Sequence, residues 1–176
     1  MIIRKADMSD LKKAYEVYSK VLRNEEKGLT TIGWIRGVYP TENTISEAIN
    51  ADDFFVCSEN DKIFACARIN QIQVPEYAMA DWEYKDIKDD KIMVLHTLAV
   101  DPDAGGKGIG SNFVKFYEDY ALNHGCTHLR MDTNEKNSNA RRLYKKLGYS
   151  EADIVPCDFN GIPNIRLVCL EKKLKW

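Results

Sequence analysis

Apolar residues along this chain recur with two different periods, and the change from one to the other predicts the order of its elements. Ile2 to Lys5 is a short extended segment. After it, Ser9 or Asp10 is placed to cap a helix on which Leu11, Ala14, Tyr15, Tyr18, Val21 and Leu22 recur every three or four positions. Gly28, Gly33 and Gly37 break the pattern over 27–40, which predicts a loop or broken helix with Trp34, Ile35, Val38 and Tyr39 as exposed apolar residues. Thr44 to Ala51 is helical again. Phe54 to Ser58 and Lys62 to Val74 are predicted strands of a hairpin around Glu59-Asn60-Asp61, followed by an acidic connection from Pro75 to Asp90.

Ile92 to Val100 is a mostly apolar run that stops at Asp101-Pro102, as a central buried strand should. A glycine-rich segment leads into a helix marked by Phe113, Val114, Phe116, Tyr117, Tyr120, Ala121 and His124, and Gly125 ends it. Thr127 to Met131 is the next strand and Asn137 to Leu147 the next helix, closed by Gly148. Tyr149 to Phe159 and Ile165 to Leu174 form a final hairpin with Asn160-Gly161 as its turn. No repeat, low-complexity tract or linker interrupts the 176 residues, so the expectation is one mixed α/β domain over residues 1–176.

Charge narrows the partners. Lys and Arg total 25 against 27 Asp and Glu, a net charge of -2, which predicts neither a nucleic-acid nor a membrane partner and requires any phosphate to be held locally. The five cysteines (Cys57, Cys66, Cys126, Cys157 and Cys169) are odd in number and form no Cys-x-x-Cys pair, which points to reduced thiols and a cytoplasmic protein. Cys126 and His128 lack the further ligands that a structural metal needs, so no metal is expected. The first residues meet charge after Met1-Ile2-Ile3, unlike a signal peptide, and no stretch approaches the ~20 apolar residues of a membrane span.

Gly105-Gly106-Lys107-Gly108-Ile109-Gly110 lies between the buried strand and a helix N-terminus. Unpaired backbone N–H groups and the positive end of the helix dipole meet there, which makes either an anion site or a plain tight turn. A P-loop would need Lys followed by Ser or Thr, but Gly108 follows Lys107. A dinucleotide fingerprint starting at Gly106 would need Gly or Ala at position 111, which is Ser111.

Leu98-Ala99-Val100-Asp101-Pro102 precedes the glycine segment Gly105 to Gly110, and Asn137, Ala140, Tyr144, Gly148 and Tyr149 follow it as a second ordered motif. In these two motifs the chain resembles the GCN5-related N-acetyltransferases. The resemblance implies a mixed, mostly antiparallel twisted sheet of about seven strands flanked by about four helices. It also implies direct transfer of an acetyl group from acetyl-CoA to an amine, with no metal.

The cofactor contacts it implies are Leu98, Ala99, Val100, Gly105, Gly106, Lys107, Gly108, Ile109, Gly110, Ser111, Asn137 and Tyr144. Gly105 departs from the family's usual Arg or Gln, and Lys107 or the basic helix face of Arg141, Arg142 and Lys145 is expected to replace that charge. Tyr144 would protonate the departing thiolate. An alkyl ammonium of pKa near 10.4 costs roughly 4.6 kcal/mol to deprotonate at pH 7, so a base is useful. His96 is the candidate, either as that base or as a hydrogen-bonded core histidine; strand alternation would place it on one face with Leu98 and Val100.

Trp34, Tyr39, Asp132 and Phe159 are candidate acceptor contacts, and the acidic residues from Glu76 to Asp90 would favour a cationic amine. The expected partner is a small-molecule amine or amino acid. A peptide N-terminus or lysine is the alternative acceptor, and a non-catalytic acyl-CoA-binding module the alternative class. Pairing is common in the family, so a homodimer is a further expectation.

Overall fold

A computed structural model describes residues 1–175. The strands are β1 (Ile2–Lys5), β2 (Phe54–Glu59), β3 (Lys62–Asn70), β4 (Ile92–Val100), β5 (His128–Asn134), β6 (Ser150–Phe159) and β7 (Ile162–Lys173); the helices are α1 (Leu11–Glu26), α2 (Glu42–Asn50), α3 (Ile109–Asn123) and α4 (Ser138–Lys146). They build one seven-stranded sheet in the order β1-β2-β3-β4-β5-β7-β6. Every pairing is antiparallel except that of β4 with β5. The parallel pair requires a crossover, and α3 supplies it, which is why the glycine segment and a helix N-terminus follow β4.

Both faces of the sheet are buried, so its central strands read as continuous apolar runs. On β2, Phe55 and Cys57 join a cluster with Phe113, Val114 and Tyr117 of α3, whereas Phe54 and Val56 pack with Ala14, Val17 and Tyr18 of α1 and Ile45 of α2. A third cluster covers β4, β6 and β7 on the α1 side. It is capped by Tyr77 and Trp82 from the 71–91 segment, which is therefore bound to the sheet and is no loose acidic loop.

Local chemistry moves several element ends. The first helical turn is capped by Asp7, which accepts from the Ser9 amide, while the Asp10 carboxylate is taken by the Asp7 amide and by Arg4. Ser9 is not the cap, and Asp10 occupies the N-cap position of α1 without making a side-chain cap bond there. Thr41 caps α2, so that helix starts two residues before Thr44. β3 stops at Asn70 because the Asn70 side chain accepts from the Ile72 amide and turns the chain away. Trp34 and Tyr39 are not exposed: Trp34 meets Tyr18 edge to face at 5.5 Å and Tyr39 at 6.3 Å.

The decisive irregularity is on β4. Between the pairs Arg68↔His96 and Cys66↔Ala99, β4 carries one more residue than β3, a bulge centred on Thr97 at φ +56°. A positive φ at a β-branched residue costs about 1–3 kcal/mol and persists only where the surroundings hold it. Here Tyr18 donates its hydroxyl to the Thr97 carbonyl at 3.0 Å, and the Tyr39 hydroxyl contacts the Thr97 hydroxyl. The bulge reverses the alternation: His96 keeps the side of Ile92 and Val94, while Leu98 and Val100 pack on the α3 side. The expectation of one shared face for His96, Leu98 and Val100 is thus corrected.

Tyr18→Phe removes the donor from a carbonyl in a buried setting. It should lower the unfolding free energy by about 1–3 kcal/mol, seen as a reduced denaturant midpoint at unchanged slope.

Candidate active site

Parallel pairing of β4 with β5 ends at Leu95↔Met131, although both strands continue; β4 stays with β3 and β5 stays with β7. The sheet therefore opens into a wedge, and a cavity of about 440 Å³ lies at its apex. Asp101 donates its N–H to the Phe64 carbonyl on β3 at 2.7 Å. Alternation then turns the N–H groups of Val100 and Leu98 into the wedge and that of Ala99 toward β3. Ala99 also buries its side chain under α1, so it supports the wall and offers no contact.

The glycine segment behaves as an anion cradle in part. Gly106 and Gly108 take φ +78° and +71°, and a Cβ on either would meet nothing within 4 Å, so the backbone is bare on that side. The first α3 bond runs from the Asn112 amide to the Gly108 carbonyl, and no side chain caps the helix. The N–H groups of Ile109, Gly110 and Ser111 are thereby left for a ligand. Gly105 is different, because its N–H is engaged with the Pro102 carbonyl at 3.3 Å. Of the candidates for replacement charge, Arg141 is tied to Glu151 at 2.7 Å and 2.8 Å and to the Glu135 carbonyl, so it is not free for that role. Lys107 is exposed at the loop.

Tyr144 is 7% exposed and lines the cavity, and its hydroxyl has no hydrogen-bond partner among the described residues. Burial, and then the charge of Asp132, push its pKa up, so it is a phenol at neutral pH. Asn137 caps α4: its Oδ1 accepts from the Ala140 amide at 3.2 Å and its Nδ2 donates to Thr133 at 3.1 Å. That leaves its side chain holding the helix that carries Tyr144.

Asp132, one residue beyond the last β4–β5 pair, also lines the cavity. Burial raises its carboxyl to about 6, against the opposing hydrogen bond donated by the Tyr77 hydroxyl at 2.7 Å. His96 behaves otherwise. Asn70 gives its Nδ2 to Asp53 at 2.8 Å, which turns its Oδ1 toward the Ile72 amide and toward His96 Nε2 at 2.9 Å. The imidazole must then carry its proton on Nε2. Burial and the nearby Arg68 charge lower its pKa to about 4, which makes it a weak proton acceptor. His96 lines the cavity, and this hydrogen bond and lowered pKa weaken the expectation that it is a base.

Trp34, Tyr39 and Phe159 line the same cavity as Asp132, but no acidic residue between Glu76 and Asp90 does. Trp82 instead lies under Arg130, 4.0 Å from the guanidinium carbon, and Glu83 gives its amide to Glu171. Sequence reading passed over Arg68, Asn70 and Thr97; two polar residues at the end of the otherwise apolar run from Ile63 were the available signal.

The α1–α2 loop roofs the cavity. Glu25 gathers Thr30, the Ile32 amide and the Gly33 amide on its carboxylate, and Thr31 donates to the Lys136 carbonyl beyond β5. Gly33 sits so close to β5 that a Cβ would lie 2.5 Å from Asn134 Nδ2. From the other side, a Cβ on Gly161 of the β6–β7 turn would lie 3.4 Å from Val38.

A family model described as "Acetyltransferase (GNAT) family" matches residues 15–149. An uncharacterized N-acetyltransferase of Methanocaldococcus jannaschii is 28% identical over 87% of this chain and 62% of its own length. A Bos taurus protein named thialysine N-epsilon-acetyltransferase is 32% identical over 58% of this chain and 62% of its own. This chain thus matches about three-fifths of the length of these relatives. Among solved structures, an acetyltransferase of the GNAT family from Streptococcus agalactiae superposes with a TM-score of 0.81 at 20% identity, covering 99% of this chain and 96% of that one. A Salmonella typhimurium structure described with its cofactor acetyl-CoA superposes at 0.70 with 19% identity, covering 100% and 95%. At such identities these two show the shared fold.

A carboxyl raised by folding stabilises the protein below its unfolded value near 4, and that stability is lost as pH rises through about 6. Asp132→Asn should therefore be more stable than the parent at pH 7.5, by on the order of 2 kcal/mol, and should lose the advantage below pH 4. Denaturant unfolding at the two pH values measures it.

Proposed function

The chain belongs to the acetyltransferase (GNAT) family, and on that premise we propose that it moves the acetyl group of acetyl-CoA directly to the primary amine of a small molecule. Acetyl-CoA supplies an activated thioester. The residues present suit it: at the bare glycine turn the free N–H groups of Ile109, Gly110 and Ser111 can donate to a diphosphate, and the Leu98 and Val100 N–H groups can donate to the carbonyls of the extended arm. Lys107 adds a mobile charge at the loop. An N–H donor in the wedge also stabilises the oxyanion formed when an amine adds to the thioester carbonyl.

One observation carries the reading. Two groups with opposed protonation states, the unpartnered Tyr144 phenol and the Asp132 carboxyl, face one cavity where the strands part. At pH 7 a carboxyl titrating near 6 is about nine-tenths ionised, so it takes a proton from the acceptor ammonium. Tyr144 keeps its proton until charge develops on the departing sulfur and then donates it, and the second proton, shed by the nitrogen as the amide forms, returns the phenolate to phenol. His96, neutral and pinned by Asn70, orients the wall and is not the base.

The roof favours a small acceptor. Loop 30–38 touches the chain beyond β5 and the β6–β7 turn, so the way in is a covered mouth and not the open groove that a folded protein's lysine needs. The bovine relative is named for the N-epsilon of thialysine, a small amine, which agrees with this.

Mass-spectrometric detection of acetylated product from a panel of amino acids, polyamines, aminoglycosides and short peptides tests the proposal. In this assay Tyr144→Phe should lower kcat by about 10²-fold while the KM for acetyl-CoA stays within about twofold. The parent's log kcat/KM should lose one unit of slope near pH 6, and Asp132→Asn should abolish that break. Acetyl-CoA binding without transfer to any amine would favour a binding module.

A further inference from the structure

Among the described residues, Arg68 is the only Lys or Arg side chain on the cavity wall. The register fixes its neighbours: Arg68 lies opposite His96 on β4, and Leu95 opposite Met131, so Arg68, His96 and Asp132 form a row across three adjacent strands. All three share the sheet face of α1. Arg68 is opposite Phe54 of the α1 cluster, and Asp132 is opposite Cys169 of the third cluster. Among the described residues, Glu47 and Asp132 are the carboxylates on the cavity wall, and the row itself runs from the Arg68 guanidinium, paired with Asp53, past the neutral His96 imidazole to Asp132.

Arg68 is already oriented. Its Nε donates to Asp53 Oδ1 at 2.7 Å, and the second Asp53 oxygen is taken by Asn70. The guanidinium presents a planar fork of donors, and this bond occupies only its Nε side. Among the described residues its two Nη groups have no hydrogen-bond acceptor. Its charge is felt both at His96 and at the Tyr39 hydroxyl, and the Asp132 charge is felt at that same hydroxyl. Tyr39 lines the same cavity as Arg68 and Asp132. If the arginine were only the counter-ion of Asp53, that pairing would not by itself require the guanidinium to lie on the cavity wall.

Resting on the small-amine reading above, we propose that the acceptor also bears a carboxylate, which seats on the free Nη pair of Arg68 and so delivers the amine to Asp132. The substrate class is then a compact aminocarboxylate, an amino acid or close analogue, whose two charges match the two ends of the row. One strand spacing of about 4.8 Å separates Arg68 from its ladder partner His96, and the opening wedge sets Asp132 further off on the other side, so the acceptor must be long enough for its two charged groups to reach across both gaps. Bidentate pairing with an oriented guanidinium is worth far more than a surface ion pair, because the fork is fixed before the ligand arrives.

The test compares ω-amino acids of three to six carbons with their amides and with alkylamines of equal length, using the unaltered protein and acetyl-CoA. The carboxylates should have kcat/KM at least about ten times that of the amides, mostly through KM. Arg68→Met should reduce that ratio to within about twofold, with the KM for acetyl-CoA unchanged. Equal use of acids, amides and alkylamines by the unaltered protein overturns the role of Arg68 and leaves the small-amine reading intact. Transfer to lysine peptides alone, or to nothing, overturns the small-amine reading and this inference with it. The acid-to-amide comparison needs no variant, so a folding defect in Arg68→Met does not blunt it.

Discussion

The bulge at Thr97 is the constraint on which the site depends. Two tyrosines hold it, Tyr18 from α1 at the carbonyl and Tyr39 from the α1–α2 loop at the hydroxyl. With one extra residue, β4 leaves the parallel ladder with β5 after Leu95 and yet keeps its antiparallel ladder with β3. The backbone N–H groups of Leu98 and Val100 are freed, and His96 is turned to the opposite face from both. An unbulged β4 would send Leu98 and Val100 toward α1, whereas the row from Arg68 to Asp132 is set by the register before the bulge. Strain at a β-branched residue is tolerated because α1, the loop and the strand all converge on it.

Burial then sorts the titratable groups at the wedge. The same loss of water raises Asp132, raises Tyr144 and lowers His96, because in each case the neutral form is favoured. The outcome is a carboxyl poised below neutral pH, a phenol that keeps its proton, and an imidazole that stays uncharged beside Arg68. The Tyr77 hydroxyl moderates the rise of Asp132 and connects the site to the 71–91 segment, whose other anchor is Trp82 beneath Arg130. A segment that reads as solvated and acidic is in fact a strap whose buried aromatic residues support the carboxyl, while its charges face away from the cavity.

The loop between α1 and α2 closes the other side. Glu25 shapes it by collecting three donors, and Gly33, at φ +84°, lies against the Asn134 side chain of β5. The aromatic residues of that loop are inner-wall residues. Trp34 packs on both Tyr18 and Tyr39, so the cavity mouth and the β4 bulge are held by one aromatic group. The loop over the cavity and the bulge on β4 therefore share one set of contacts.

What the sequence determined by itself is what local periodicity and chain chemistry encode. The run Ile92 to Val100 gave β4 its bounds, Asn160-Gly161 gave the last turn, and the glycines before α3 marked the bare backbone of the cradle. Asn137 through Tyr149 and Leu98 through Pro102 carried the family resemblance, and Tyr144 with it. Tertiary structure alone decided the rest. A bulge is a difference in count between two paired strands, so no pattern within β4 could reveal that His96 and Leu98 face opposite ways. Nor could composition tell that Asp132 is the carboxyl that burial brings near 6, or that the acidic residues nearby lie outside the cavity. Protonation state and the placing of Arg68 and Asp132 at opposite ends of one wall depend on which residues distant in sequence exclude water together, and only the folded chain brings those residues into contact.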